Sequence, residues 1–270
     1  MRLGISSWTY PWAIGVAGFP PPARPLRLAD LLARAAMLKV RVVQVADNLP
    51  LHKLHRGELR DAHDQAASLG LTIEIGTRGV EPVRLRRYLK LAARFNAVLV
   101  RTLIHTLRSR PSLEQAEKQI REVLPEFEAQ GVTLGIENYE SHSCCGLVAL
   151  VRRLESRQVG VCLDTVNSLG ALETPQDVVE TLAPLTVSLH VKDFVIERTP
   201  SRMGFVVRGA PAGSGKLDIP WLLGKMPPGN DVSVILEQWP PFRASVEATV
   251  AMEKEWARRG IQYLRSCGCA

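Results

Sequence analysis

Four strand-like runs in the second half of the chain each end on a residue that can hold a metal ion or move a proton. Thr133-Leu-Gly-Ile leads to Glu137, Val159-Gly-Val-Cys-Leu to Asp164, Val187-Ser-Leu to His190 and Ser233-Val-Ile-Leu to Glu237. Three carboxylates gathered at one place repel and raise one another's pKa. A divalent cation removes that penalty. An oxygen-rich set with one imidazole suits Mn²⁺ or Mg²⁺, with Zn²⁺, Co²⁺ or Fe²⁺ also able to bind. Taken singly, each residue has a plainer reading. A Glu or Asp after a strand often caps a helix or pairs with a base, Asp164 could cap the turn Thr165-Val166-Asn167, and His190 could be a satisfied core histidine. Four such residues at one depth on consecutive strands favour a shared site.

The elements that must position them alternate along the whole chain. Strands are predicted at Leu3–Ser6, Val40–Val45, Leu71–Ile75, Val98–Leu103, Val132–Ile136, Val159–Leu163, Thr186–Val191 and Val232–Leu236. Helical spacing falls between them, at Leu26–Leu38, Glu58–Leu69, Val83–Asn96, Ser112–Gln130, Leu147–Leu154, a stretch opening at Thr174-Pro175, Ile219–Lys225 and Ser245–Leu264. Gly70 and Gly131 stand where helices close, Ser112 is a good N-cap, and Pro175 fits a first helical turn. Asp193 to Lys216 reads as a long loop. Most strands are continuous apolar runs, as expected when both faces are buried, and strict alternation implies a parallel sheet. Eight units in 270 residues favour one closed (β/α)₈ TIM barrel, an α/β fold spanning 1–270 as a single domain, over an open doubly wound sheet. No G-x-G-x-x-G follows the first strand, which weakens a dinucleotide site. In a barrel of this kind the site forms at the C-terminal ends of the strands, where the four residues lie.

Composition bounds the partners. The chain is 46% hydrophobic and 23% charged, with a net charge of +7. The basic residues are scattered. The densest group, Arg84, Arg86, Arg87 and Lys90, alternates with apolar Val83, Leu85, Leu89 and Leu91, which reads as a solvated helix face rather than a nucleic-acid surface. Five cysteines, Cys144, Cys145, Cys162, Cys267 and Cys269, form no disulfide framework. The Cys267-Gly268-Cys269 end reads as a frayed terminus. No signal peptide and no membrane-spanning run is visible, so a reducing cytoplasm is expected.

The motifs resemble those of the xylose isomerase-like TIM-barrel superfamily, which includes sugar-phosphate isomerases and epimerases and the endonuclease IV-type AP endonucleases. The pieces that carry the resemblance are Gly135-Ile-Glu137-Asn138, Cys162-Leu-Asp164-Thr-Val-Asn167, Leu189-His190-Val-Lys192-Asp193, Gly213-Ser-Gly215-Lys-Leu-Asp218-Ile and Ile235-Leu-Glu237. Val43-Gln44-Val-Ala-Asp47-Asn48 adds a looser match in the first half. The resemblance implies that Glu137, Asp164, His190 and Glu237 bind one divalent metal ion. It also implies that Glu137 and Glu237 act as an acid/base pair on opposite faces of a small carbohydrate, through an enediolate. A homo-oligomer is a further expectation, since dimers and tetramers are frequent in the group. Two departures stand out. Asn167 occupies a place where epimerases often carry His, and no Arg follows His190 at the usual distance, although Arg198 or Arg208 could substitute. The three-metal AP endonuclease cluster needs histidines this chain lacks, so a nucleic-acid substrate is not expected.

Further candidates for the mouth are Trp8, Gln44, Asp47, Glu74, Arg78, Arg101, Asn167, Lys192 and Arg208, with Trp12 and Trp239 as ring-stacking surfaces. For the tryptophans, packing is an equally good reading. Gly213 and Gly215 suggest either a loop closing over substrate or a structural turn. The leading expectation is a metal-dependent sugar isomerase or epimerase. The runner-up is a lyase or dehydratase on the same scaffold, using a carboxylate or lysine base, and the third reading is a non-catalytic sugar-binding barrel.

Overall fold

Eight short apolar runs close into a parallel barrel. The computed structural model describes residues 1–228 and 231–270. Its barrel strands are β1 (Arg2–Ser6), β2 (Val42–Val45), β3 (Thr72–Arg78), β4 (Leu99–Leu103), β5 (Thr133–Glu137), β6 (Val159–Asp164), β7 (Thr186–Val191) and β10 (Ser233–Leu236). They pair side by side in the closed order β1-β10-β7-β6-β5-β4-β3-β2. The single (β/α)₈ barrel expected from the alternation is the observed fold. Among the described residues, no helix is long and apolar enough to cross a membrane.

The helices form the outer layer. They are α1 (Pro11–Ile14), α2 (Leu28–Met37), α3 (Arg56–Ser68), α4 (Pro82–Phe95), α5 (Leu113–Gln130), α6 (Cys144–Leu154), α7 (Pro175–Leu182), α8 (Ile219–Gly224) and α9 (Val246–Ser266). Their ends follow local chemistry. Ser112 Oγ accepts from Gln115 N and Thr174 Oγ1 from Asp177 N, both in reciprocal capping boxes, and Gly131 closes α5 in the left-handed conformation. Each helix turns an apolar stripe inward. In α4 the buried set is Leu85, Tyr88, Leu89, Leu91, Ala92 and Phe95. The arginines singled out in the sequence lie elsewhere on this helix, and Arg86 pairs with Glu122 and Glu126 of α5. That is the solvated face the spacing predicts.

Two expectations are corrected. Asp193 to Lys216 is not all loop, because it carries an antiparallel hairpin, β8 (Asp193–Arg198) with β9 (Phe205–Ala210). The hairpin stands out over the mouth with its outer half exposed, and its apolar triplets Phe194–Ile196 and Phe205–Val207 are embedded in charged, Pro- and Gly-rich sequence that reads as loop. The C-terminus is not frayed. Cys269 is buried, and Ala270 O accepts from Leu3 N at 2.7 Å, which ties the chain end to β1.

One buried carboxyl links the closing helix to the first turn. Glu253 of α9 accepts from Trp12 N at 2.7 Å and Ala13 N at 3.0 Å, capping α1 from outside. Burial pushes its carboxyl up to about 8, despite those two N–H donors. A folded-state pKa above the unfolded one contributes stability at low pH that is lost as pH rises through it. The thermal midpoint is therefore expected to fall between about pH 4.5 and pH 8. Glu253→Gln should remove this component, as a pH series of melting curves would read. An unchanged pH slope in that variant would show that the carboxyl titrates elsewhere.

Candidate active site

Neighbouring strands bring Glu137, Asp164, His190 and Glu237 together at one end of the barrel. Asp164 stands directly opposite His190 in the β6–β7 register, and Glu237 follows the last residue of β10, adjacent to β7. All four are buried. His190 Nδ1 lies 3.6 Å from Glu137 Oε2, 3.8 Å from Asp164 Oδ2 and 3.6 Å from Glu237 Oε2. The donor atoms of Asp164, His190 and Glu237 lie within 4.8 Å of one another, and so do those of Glu137, Cys162 and His190.

The residues fit a divalent cation on a second ground. Asp164 Oδ2, His190 Nδ1 and Glu237 Oε2 are buried without a hydrogen-bond partner among the described residues. Lys192 Nζ lies 2.7 Å from Asp164 Oδ2 and 2.9 Å from Glu237 Oε2, an ion pair with each. A buried unpaired polar atom costs on the order of 1–3 kcal/mol. His190 Nδ1 is such an atom, and it converges with two carboxylate oxygens that share the single ammonium of Lys192, an arrangement that one cation would satisfy.

The surrounding contacts fix these side chains. His190 Nε2 faces Gln44 Oε1 at 2.8 Å, while Gln44 Nε2 donates to Glu74 Oε2 at 3.0 Å. Gln44 therefore presents its oxygen to the ring, which places the proton on Nε2 and leaves Nδ1 of the neutral imidazole free as a ligand. Ser6 Oγ donates to Glu237 Oε1 at 2.7 Å. Asp164 Oδ1 accepts from Val166 N and Asn167 N, both at 2.9 Å, so this residue does cap its own turn as the plainer reading held. Oδ2 remains to face the site. Asn138 stitches β5 to β6 by donating to Asp164 O and accepting from Asp164 N.

The electrostatics are those of crowded buried charge. Burial works to raise Glu137, but Arg101 and His190 hold its carboxyl well below the usual range. Burial likewise opposes the ionised form of Glu237, and His190 and Lys192 outweigh it, so its pKa is lowered. At Asp164 burial wins and the pKa is raised, in spite of Lys192. Burial also opposes charge on His190, yet Cys162, Glu237 and Glu137 push its pKa well up. A cation among the same carboxylates would take over that stabilising role and leave the imidazole neutral.

A cavity of about 500 Å³ opens beside this cluster, and of the four residues Glu137 lines it. Trp8, Arg78, Arg101, Asn167, Lys192 and Trp239 line it, together with Glu137 and Tyr139. Six of the eleven predicted mouth residues thus reach it, and five do not; of these, Asp47 stands just outside the lining, against Arg78, Arg101 and Trp8. Gln44 and Glu74, expected to touch substrate, are buried deeper in the barrel, where they pair with each other behind His190. Strand alternation turns a side chain inward but does not give its depth. Arg208 is exposed and faces Glu197, because side chains alternate along β9 and it is the neighbouring Val207 that lines the cavity. Trp12 is buried against Phe19 and Phe242, with its Nε1 donating to Pro240 O, so it packs rather than stacks on a ligand. Gly213 and Gly215 form a structural turn. Their N–H groups donate to Asp193 Oδ2, and Gly213 has φ +82° with its Cα against the Tyr263 ring. Ser6 and Tyr139 were missed. Ser6 ends β1, so the rule that found the four ligand candidates would have found it too.

The profile of the xylose isomerase-like TIM barrel family matches residues 32–267, and the chain belongs to that family. It is an enzyme fold whose members differ in the reaction they run. The chain is 34% identical over 265 residues to a 3-oxo-isoapionate decarboxylase of Pectobacterium atrosepticum, covering 98% of this chain and 95% of that one. A D-psicose 3-epimerase of Clostridium cellulolyticum, solved with D-tagatose, superposes with a TM-score of 0.74 over 100% of both chains at 15% identity. A xylose isomerase-like TIM barrel protein of Mycobacterium smegmatis, solved in complex with magnesium, gives a TM-score of 0.68 at 17% identity over 98% of this chain and 97% of that one.

Proposed function

We propose that this chain decarboxylates a 3-oxo sugar acid, with Glu137, Asp164, His190 and Glu237 holding one divalent cation, Mn²⁺ or Mg²⁺. This places it in the lyase class rather than with the isomerases and epimerases first expected. A reducing cytoplasm and a homo-oligomer are accompanying expectations, and the five unpaired cysteines fit the first.

The observation that carries the reading is the commitment of Glu137. Arg101 Nε pairs with its Oε2, and Asn167 Nδ2 donates to its Oε1 at 2.7 Å. Epimerisation needs one group to take a proton from carbon on one face and another to return it on the opposite face. A carboxylate held by a guanidinium and an amide is a poor base. Decarboxylation of a 3-oxo acid makes no such demand. The bond from the α-carbon to the carboxylate breaks, CO₂ leaves, and the electron pair moves onto the neighbouring ketone oxygen as an enolate. One proton then adds to that carbon. Similarity over nearly the whole length to a 3-oxo-isoapionate decarboxylase supports the same choice.

The bound cation would supply Lewis acidity, polarising the ketone and steadying negative charge on oxygen. The other tasks fall to the chain. Lys192 lines the cavity beside Asp164 and Glu237, which, against burial, hold its pKa up; with those carboxylates taken by a cation, that hold would loosen and Lys192 would hand over the proton. Solvent restores it. Val166, Leu169, Val207 and Trp239 give the cavity an apolar side that limits water at the carbanionic carbon.

The test uses Mn²⁺-loaded protein in D₂O. A 3-oxo sugar acid should release one CO₂ per molecule consumed and leave a ketose with one deuterium on the former α-carbon. Deuterium exchange into a plain ketose, with no CO₂ from the acid, would instead restore the epimerase reading.

A further inference from the structure

The cavity carries three cationic side chains, and two of them are already engaged. Arg101 holds Glu137 and donates to Asp47 Oδ1 at 3.1 Å and Thr77 O at 3.2 Å. Lys192 sits between Asp164 and Glu237. Arg78, the last residue of β3, is different. Its side chain makes no hydrogen bond among the described residues, and its buried Nε has only a longer ion-pair contact. Asp47 Oδ2 lies 3.4 Å from that Nε, but the other oxygen of Asp47 is shared by Arg101 and Trp8 Nε1. The guanidinium lies over the Tyr139 ring at 5.6 Å and remains partly open to the cavity. A guanidinium with one such ion pair, no hydrogen bond and an edge toward a cavity is a fork for a carboxylate.

Its place in the barrel matters as well. The four ligand candidates occupy the contiguous arc β5, β6, β7 and β10, and β3 lies outside that arc, beyond β4. A substrate with its oxo and hydroxyl oxygens at the arc would direct its far end toward Arg78. In a 3-oxo acid the carboxylate is that far end, two carbons from the ketone.

We infer that Arg78 seats the carboxylate of the substrate and so selects acids over neutral sugars. Asp47 turns its Nε edge, and Tyr139 supports its plane. The inference rests on the reading of this cavity as the substrate site, yet it concerns binding rather than turnover.

Binding is therefore the test. A pentonate and the pentitol of the same configuration, neither of which can decarboxylate, are titrated calorimetrically into Mn²⁺-loaded protein. The wild type should prefer the pentonate by at least about tenfold, the scale of a hydrogen-bonded charge. Arg78→Gln should erase that preference while leaving pentitol affinity unchanged, and Arg78→Lys should keep part of it as a point charge. Melting curves confirm that each variant is folded. Equal pentonate affinity in wild type and Arg78→Gln, or no acid preference in the wild type, overturns the inference. The absence of CO₂ release from a 3-oxo acid would overturn the decarboxylase reading alone, since acid selection is measured without turnover.

Discussion

Asp164→Asn should retain the fold, lose the divalent cation and lose activity. The two carboxylate oxygens of Asp164 have separate tasks. Oδ1 accepts from Val166 N and Asn167 N, and an asparagine oxygen can still do so. Oδ2 faces His190 Nδ1 and Lys192 Nζ with no hydrogen-bond partner, and an amide nitrogen there removes both the charge and the lone pair a cation needs. Altering groups that merely support a ligand lowers metal affinity by roughly 10–100-fold, so removing a ligand should exceed about 100-fold. Stability gives a readout independent of turnover. A ligand bound only by the folded state stabilises it by about 2.7 kcal/mol at one hundred times its Kd. Mn²⁺ should therefore raise the wild-type melting temperature and leave that of Asp164→Asn unmoved. With chelator present the variant should be no less stable than the wild type, because it relieves a buried carboxylate whose pKa burial has already raised. Full metal occupancy in Asp164→Asn would remove Asp164 from the ligand set. Asp164→Ala is the harsher test, since it also deprives two backbone N–H groups of their acceptor.

The same residues show what a sequence conveys and what it withholds. Glu137, Asp164, His190 and Glu237 were legible because each ends an apolar run, and a parallel barrel exposes strand ends at one mouth. The period of a strand tells inside from outside, and Gln44 and Glu74 do point inside. Their depth depends on the stagger between strands, which no single strand encodes, so two residues read as substrate contacts proved to support His190 from behind. The β8–β9 hairpin was hidden for the opposite reason. It projects from the barrel with Ile196, Phe205, Val206 and Val207 exposed, and its two apolar triplets, Phe194–Ile196 and Phe205–Val207, are submerged in charged, Pro- and Gly-rich sequence. Arg101 was recognised as polar on an apolar strand, yet its partner lies 36 residues away in sequence, and only the β4–β5 pairing brings them together.

That pairing sets up the second large effect. Arg101 is 3% exposed and the side chain of Glu137 not at all. Removing one partner of a buried ion pair strands the other, at a cost of about 3–5 kcal/mol. Arg101→Met, similar in length and without charge, should lose that much stability in chelator, read as a shift of the urea midpoint at constant slope. Arg101→Met with Glu137→Gln should recover most of it, because no uncompensated carboxylate remains. The dependence on pH should reverse as well. In the wild type the Glu137 carboxyl is held low, so its contribution is present above the unfolded pKa and lost only in strong acid. Without Arg101 burial becomes unopposed by the guanidinium and the pKa rises. The variant should then be relatively more stable below about pH 4.5 and weaken as pH climbs toward neutrality. Additive losses in the double variant would show that Arg101 acts through Asp47 and Thr77 instead. A coupled result would tie the stability of the barrel to the same contact that holds Glu137 away from base chemistry.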